Sequence, residues 1–210
     1  MIKHLSIFDA IKSSDLELVK SLIQSGVNVN YIEVSGWTPL YLASYLYSHK
    51  YRFYRDLDIL ELLIKSGADV NYKVDFLDCT SLFHTLLSDS IMTLLLENGS
   101  DPNVKNSYGD TCLHKAALYS CPGNMKLLVR SGADIDSQNY KGNTPLHIAA
   151  LYGYGISPVR TLIQLGANTA IENLGGETAL DLAKDPEIRA CIQRGRIPSK
   201  TQSTHSILGV

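Results

Sequence analysis

Apolar residues along the chain fall into short helical stripes that come in pairs. Leu113, Ala116 and Ala117 lie at helical spacing, and after a break Leu127 and Leu128 form a second stripe. Such second stripes end at a glycine that precedes a small residue and an Asn or Asp. Five of these endings occur: Ser25-Gly26-Val27-Asn28, Ser66-Gly67-Ala68-Asp69, Asn98-Gly99-Ser100-Asp101, Ser131-Gly132-Ala133-Asp134 and Leu165-Gly166-Ala167-Asn168. The steps between their glycines are 41, 32, 33 and 34 residues, a periodicity that marks a stack of repeated units.

A second landmark keeps phase with the first. Thr38-Pro39-Leu40-Tyr41, Thr111-Cys112-Leu113-His114, Thr144-Pro145-Leu146-His147 and Thr178-Ala179-Leu180-Asp181 each begin 12 residues after a repeat glycine, and Thr80-Ser81-Leu82-Phe83 begins 13 after Gly67. The threonine reads as a helix entry, its hydroxyl placed to cap backbone N–H groups. Pro145 sits at the first helical position, where a missing N–H costs nothing. The repeat glycine follows the second helix, where a left-handed cap is free of steric cost. The segment from Ala133 to Gly142 is polar with Gly and Asn and reads as a hairpin-like loop. One such unit cannot bury its own apolar face, whereas a stack can.

The Thr-Pro-Leu-His start and the Gly-Ala-Asp ending, at about 33 residues, resemble the ankyrin repeat. The resemblance covers about residues 5–195 and is most specific from Gly109 to Asp136 and from Gly142 to Asn168. It implies an all-α ankyrin-repeat solenoid of stacked helix-turn-helix units with hairpin-like loops. The units are expected at 5–33, 34–74, 75–106, 107–139, 140–173 and a truncated 174–195, together a domain over 1–195. The first unit lacks the Thr-Pro start and carries Ser6, Lys12 and Ser13, as a polar outer cap should. The tail, 196–210, is rich in Ser and Thr without periodicity and is expected to be disordered.

Two units depart from the pattern. Thr38 to Gly67 spans 29 residues where Thr111 to Gly132 spans 21, and the surplus falls between Tyr47 and Asp58. Those residues, with four aromatics and three Lys or Arg, read as a longer first helix folded back on the stack, a partner-binding protrusion or a weak nucleic-acid patch. The third unit is two residues short between Thr80 and Gly99, so its turn near Leu87-Ser88-Asp89-Ser90 must be tight or its helices shorter, which could bend the stack.

Composition narrows the function. Over 210 residues the formal net charge is −2, too little cation for a generic nucleic-acid or anionic-membrane binder. Asp9, Lys12 and Asp15 interrupt any signal-peptide core, and Cys79, Cys112, Cys121 and Cys191 form no C-x-x-C pair, so a reduced, cytoplasmic protein is expected. His114 and His147 occupy a repeated position, which reads as structural. No metal-ligand spacing, phosphate loop or nucleophile elbow occurs, and no enzyme activity, metal or cofactor is expected.

The family resemblance carries a contact surface onto the loop tips and first helices. The aromatics at those positions are Trp37, Tyr45, Phe76, Tyr108, Tyr119, Tyr140 and Tyr152, and they are the expected partner-binding residues. The function so implied is a protein-protein interaction module, expected as a monomer, that presents a rigid concave face and loop tips to a protein partner. The alternative is a substrate-recognition adaptor of a ubiquitin-ligase or pathogen effector complex, or nucleic-acid association through 47–58. The resemblance also makes Asn71 a candidate for asparaginyl hydroxylation, beside a plain role in holding its loop.

Overall fold

The computed structural model describes residues 6–49, 55–74, 78–152 and 154–195. The disorder expected of 196–210, the aromatic Phe76 and the centre of the 47–58 stretch lie outside the described residues. Within them the chain forms α1 (Ile7–Lys12), α2 (Leu16–Gln24), α3 (Pro39–His49), α4 (Arg55–Lys65), a 3-10 helix (Ser81–Leu87), α5 (Asp89–Glu97), α6 (Cys112–Leu118), α7 (Pro122–Arg130), α8 (Pro145–Tyr152), α9 (Ser157–Gln164), α10 (Ala179–Leu182) and α11 (Pro186–Gly195). The described residues hold no strand, only the isolated bridges Val74 to Cys79 and Glu172 to Thr178. Consecutive helices pair, and the pairs stack in two rows. The inner row is α1, α3, the 3-10 helix, α6, α8 and α10, and the outer row is α2, α4, α5, α7, α9 and α11.

One continuous core lies between the rows. Ile11, Leu40, Leu82, Leu113 and Leu146 fill it from the inner helices, and Val19, Leu63, Leu95, Leu128 and Leu162 from the outer ones. Ala116, Ala117 and Ala149 are fully buried, so adjacent inner helices meet through side chains of one carbon. The first pair is a cap of the expected polar kind at its entry. Ser6 and Asp9 close a reciprocal capping box, while Ile7, Phe8, Ala10 and Ile11 face the core.

The first five outer helices each end at a repeat glycine in the left-handed region, with φ from +87° to +98° at Gly26, Gly67, Gly99, Gly132 and Gly166. That turn aims the next residues at the neighbouring pair. The Asn30 side chain donates to Gly67 O (2.8 Å) and accepts from the Asp69 N–H (2.8 Å). Asn71 does the same to Gly99 O (3.0 Å) and the Asp101 N–H (2.8 Å), and Asn103 to Gly132 O (2.9 Å) and the Asp134 N–H (2.7 Å). Asn71 therefore uses both ends of its amide to hold its loop. The next rung is a carboxylate. Asp136 accepts from the Asn168 N–H at 2.9 Å, but an ionised Asp has no proton for Gly166 O. Burial lifts the Asp136 carboxyl above its ordinary value, opposed by that hydrogen bond.

The departures have distinct geometries. Part of the surplus of the second pair lengthens the inner helix, since α3 has 11 residues where α6 has 7. Tyr47 folds back, buried, and donates its hydroxyl to Ile11 O at 2.9 Å. In the third pair the missing residues are recovered by stretching. Seven residues of 3-10 helix span about 14 Å, against about 10.5 Å for the seven α-helical residues of α6. The turn between helices disappears as well: Ser88 both ends the 3-10 helix and caps α5.

The carboxylate rung generates a stability prediction. Asp136→Asn restores a donor for Gly166 O and removes a partly buried charge. It should raise unfolding stability by about 1 kcal/mol in urea titrations at neutral pH; an unchanged or lowered value would show that the rung does not bear on the stack.

Candidate functional site

The loops of the fourth to sixth pairs are built by one device. Asn106 Oδ1 accepts from the N–H groups of Tyr108 and Asp110 (2.9 Å each). Asn139 Oδ1 does so for Lys141 and Asn143, and Asn173 Oδ1 for Gly175 and Glu177. Neighbouring loops are then joined through backbone, with the Tyr140 N–H donating to Tyr108 O (3.2 Å) and the Leu174 N–H to Lys141 O (3.1 Å). The approach is close enough to demand glycine. A Cβ on Gly109 would stand 2.6 Å from Tyr140 N, and one on Gly142 2.5 Å from Leu174 N, both at φ near +75°.

This ladder displays side chains outward. Tyr108 and Tyr140 are 67% and 66% exposed at the loop tips. Tyr119 caps the end of α6 and Tyr152 is the last residue of α8, both 56% exposed. The ends of these inner helices are tied, because the Ser120 hydroxyl donates to Tyr154 O at 3.1 Å. Four of the seven expected anchors therefore occur together, exposed, on the fourth and fifth pairs. Leu174 and Tyr154, in the loops that follow α9 and α8, are also exposed and were not among the expected anchors. Leu174 was findable, since it precedes Thr178 by four residues as Tyr140 precedes Thr144. Tyr154 lies beyond its helix and carried no repeat signal.

Trp37 and Tyr45 are half-buried and form a separate cluster. The Trp37 ring lies 5.3 Å from those of Tyr41 and Tyr45, and the His84 ring lies 5.0 and 5.2 Å from the same two. The Tyr41 hydroxyl pairs with His84 Nε2 at 2.6 Å. Burial, then the neighbouring Cys79 and Tyr45, push the Tyr41 phenol up to about 12. Much of this aromatic surface is thus spent on the junction between the second and third pairs.

The repeated histidines join neighbours too. The Thr111 N–H donates to His114 Nδ1 (3.1 Å), so Nδ1 carries no proton and Nε2–H donates to Asn143 O (2.9 Å). His147 repeats this with the Thr144 N–H (3.2 Å) and Glu177 O (3.0 Å). Burial is the main cause that holds both imidazoles below their ordinary pKa. Among the described residues no group of three His, Cys, Asp or Glu is placed to hold a metal ion. All four cysteines are free, and burial keeps the Cys79 and Cys112 thiols protonated.

A stack of helix pairs joined by reaching loops is a repeat solenoid, and its sequence matches known families throughout. The chain matches the family described as ankyrin repeats (3 copies) over residues 49–139, 84–173 and 122–188, and that described as ankyrin repeats (many copies) over 7–45. It belongs to the ankyrin repeat family. Its fold is similar to that of EF0377, an ankyrin repeat protein, at 28% identity and TM-score 0.78 over 90% of this chain and 96% of that one. An ankyrin repeat domain from Acinetobacter baumannii AYE is 24% identical, with TM-score 0.78 over 90% of this chain and 96% of that one. The ankyrin repeat domain of Bcl-3, a member of the IkappaB protein family, is 24% identical, with TM-score 0.79 over 89% of this chain and 81% of that one. These last two likenesses concern the fold alone. No curated protein matches the chain. Ankyrin repeats are in general protein-protein interaction modules rather than enzymes. Among the described residues no helix is long and apolar enough to cross a membrane.

The histidine geometry fixes a pH response. A folded pKa below the ordinary 6.5 means that the unfolded chain takes up protons first as pH falls. Stability is therefore full above that value and declines below it until the folded imidazoles also protonate. His114→Gln with His147→Gln should flatten the decline between about pH 7.5 and pH 5.5, at a cost of about 1–2 kcal/mol per site at neutral pH. Urea midpoints across that range check it, and equal slopes in both proteins would refute it.

Proposed function

We propose that this protein is a non-catalytic, intracellular binding module whose contact surface is the tyrosine face of the fourth to sixth helix pairs. The observation that carries this reading is the exposure of Tyr108, Tyr119, Tyr140 and Tyr152, each more than half open to solvent, on successive units. Single exposed apolar residues are ordinary on any surface, but aromatics in register on a fixed framework are the anchors that interfaces use. Tyrosine suits the task, since it offers a large rigid contact area and a hydroxyl that bonds at the rim. The framework beneath is ordered before contact, so a protein partner meets little entropic cost in fixing it. Leu174 extends the same face to the sixth pair. The free cysteines, two of them buried, accord with a reducing compartment.

The test is quantitative capture of partners from cell extract, followed by titration of the captured protein against variants. Tyr119→Ala and Tyr152→Ala should each weaken binding by more than about 1 kcal/mol while leaving the urea midpoint nearly unchanged. Lys126→Ala on the outer helix α7 should bind as wild type. Full affinity in both tyrosine variants, with loss on removing residues 50–54, would move the interface to the inserted stretch.

A further inference from the structure

The inner row is not uniform. The 3-10 helix packs closely against α3 of the second pair and far more sparsely against α6 of the fourth, whereas α6 packs as closely on α8 as α3 does on the 3-10 helix. The cause is local. A 3-10 helix has three residues per turn, so residues three apart eclipse, and one set of faces cannot match α-helical neighbours on both sides. Its second-pair side is filled by His84 against Tyr41 and Tyr45. On the fourth-pair side the usual tie is missing, because Phe83 stands where the fourth and fifth pairs carry His114 and His147. Phenylalanine has no ring N–H to offer the next loop.

At the loop side the Asn103 clamp still spans this junction and Lys105 Nζ donates to Gln138 O at 2.7 Å, but at the helices two side chains of the fourth pair reach across in place of the missing tie. Lys115 Nζ donates to Phe83 O at 2.6 Å, and the buried Asn124 Nδ2 donates to Leu86 O at 3.3 Å. Both acceptors are carbonyls of the 3-10 helix. The Lys115 ammonium is partly buried, so this bond gives a desolvated charge a partner as well as bridging the pairs.

We infer that the junction between the third and fourth helix pairs is a built-in seam, latched by Lys115 and Asn124, at which the stack divides into two cooperative halves. The N-terminal half is joined by the aromatic cluster, and the C-terminal half by the histidine and loop ladders. In a solenoid, cooperativity runs only through neighbouring interfaces, so the sparsest one decides where the stack parts. A partner that touched both halves would hold the seam shut, and opening it would change the angle between the Trp37 region and the tyrosine face.

The chain carries its own probe, since Trp37 is its one tryptophan and lies in the N-terminal half. Urea unfolding of the full protein should show Trp37 fluorescence changing at lower urea than the last part of the far-ultraviolet helix signal. Lys115→Met, which keeps the alkyl stem and loses the donor, should shift the Trp37 midpoint to lower urea and leave the late helical phase in place. Asn124→Leu should shift it in the same direction, and Lys126→Met, an exposed lysine on the same pair, should shift neither phase. Superimposable fluorescence and helix transitions in the wild type would overturn the seam without recourse to any variant. A Lys115→Met protein in which both phases move together, or neither moves, would overturn the latch.

Discussion

The second, third and fourth helix pairs each depend on a side-chain amide that belongs to the pair before. Asn30, Asn71 and Asn103 each close a ring with the neighbour's glycine carbonyl and with the N–H two residues further on. The ring forms only if the outer helix stops in the left-handed region, so the glycine and the asparagine are one device in two pairs. It fixes both the spacing and the orientation of successive pairs. The apolar faces then meet in one register and the core runs unbroken from Ile7 to Ile192. No pair could bury that surface alone, and so the stability of each is borrowed from its neighbours.

Where this clamp or the histidine tie is altered, other chemistry bridges the gap, and the bridges differ in kind along the stack. Between the second and third pairs it is a ring cluster with a phenol against an imidazole. Between the third and fourth it is an ammonium and an amide on carbonyls. From the fourth onward histidine, backbone loop bonds and the Asn139 and Asn173 amides act together. The most densely cross-linked stretch is also the one that holds its tyrosines out to solvent. Rigidity and display coincide there, which is the arrangement that limits the entropic cost of association.

The fold was legible because its determinants are local and repeated. Gly132-Ala133-Asp134 and Thr144-Pro145-Leu146-His147 state a helix end and a helix start wherever they occur. The 3-10 helix was not legible in this way. Two missing residues between Thr80 and Gly99 announce a shortage, but whether it is met by a shorter helix or a stretched one depends on the span the neighbours impose. The site divides along the same line. Position relative to the threonine located Tyr108, Tyr119, Tyr140 and Tyr152, yet it could not tell exposure from burial at Trp37 and Tyr45, because that is decided by Tyr41 and His84 on other elements.

Tyr45 and Tyr119 show how fine this division is. Tyr45 follows its threonine by seven residues, and Tyr119 and Tyr152 follow theirs by eight. One residue on an α-helix is a rotation of about 100°, enough to turn a ring from a neighbouring pair toward solvent. At seven, Tyr45 completes the cluster with Trp37 and His84. At eight, the second pair carries Leu46, which packs against the core. The fold therefore accepts a plain aliphatic at the position where the fourth and fifth pairs place tyrosines with more than half their surface open. Internal packing explains Tyr45 and Tyr47 and leaves Tyr119 and Tyr152 without a structural need. Large rings held in water at the ends of tied helices, in successive units, are the surface on which the proposed contact rests.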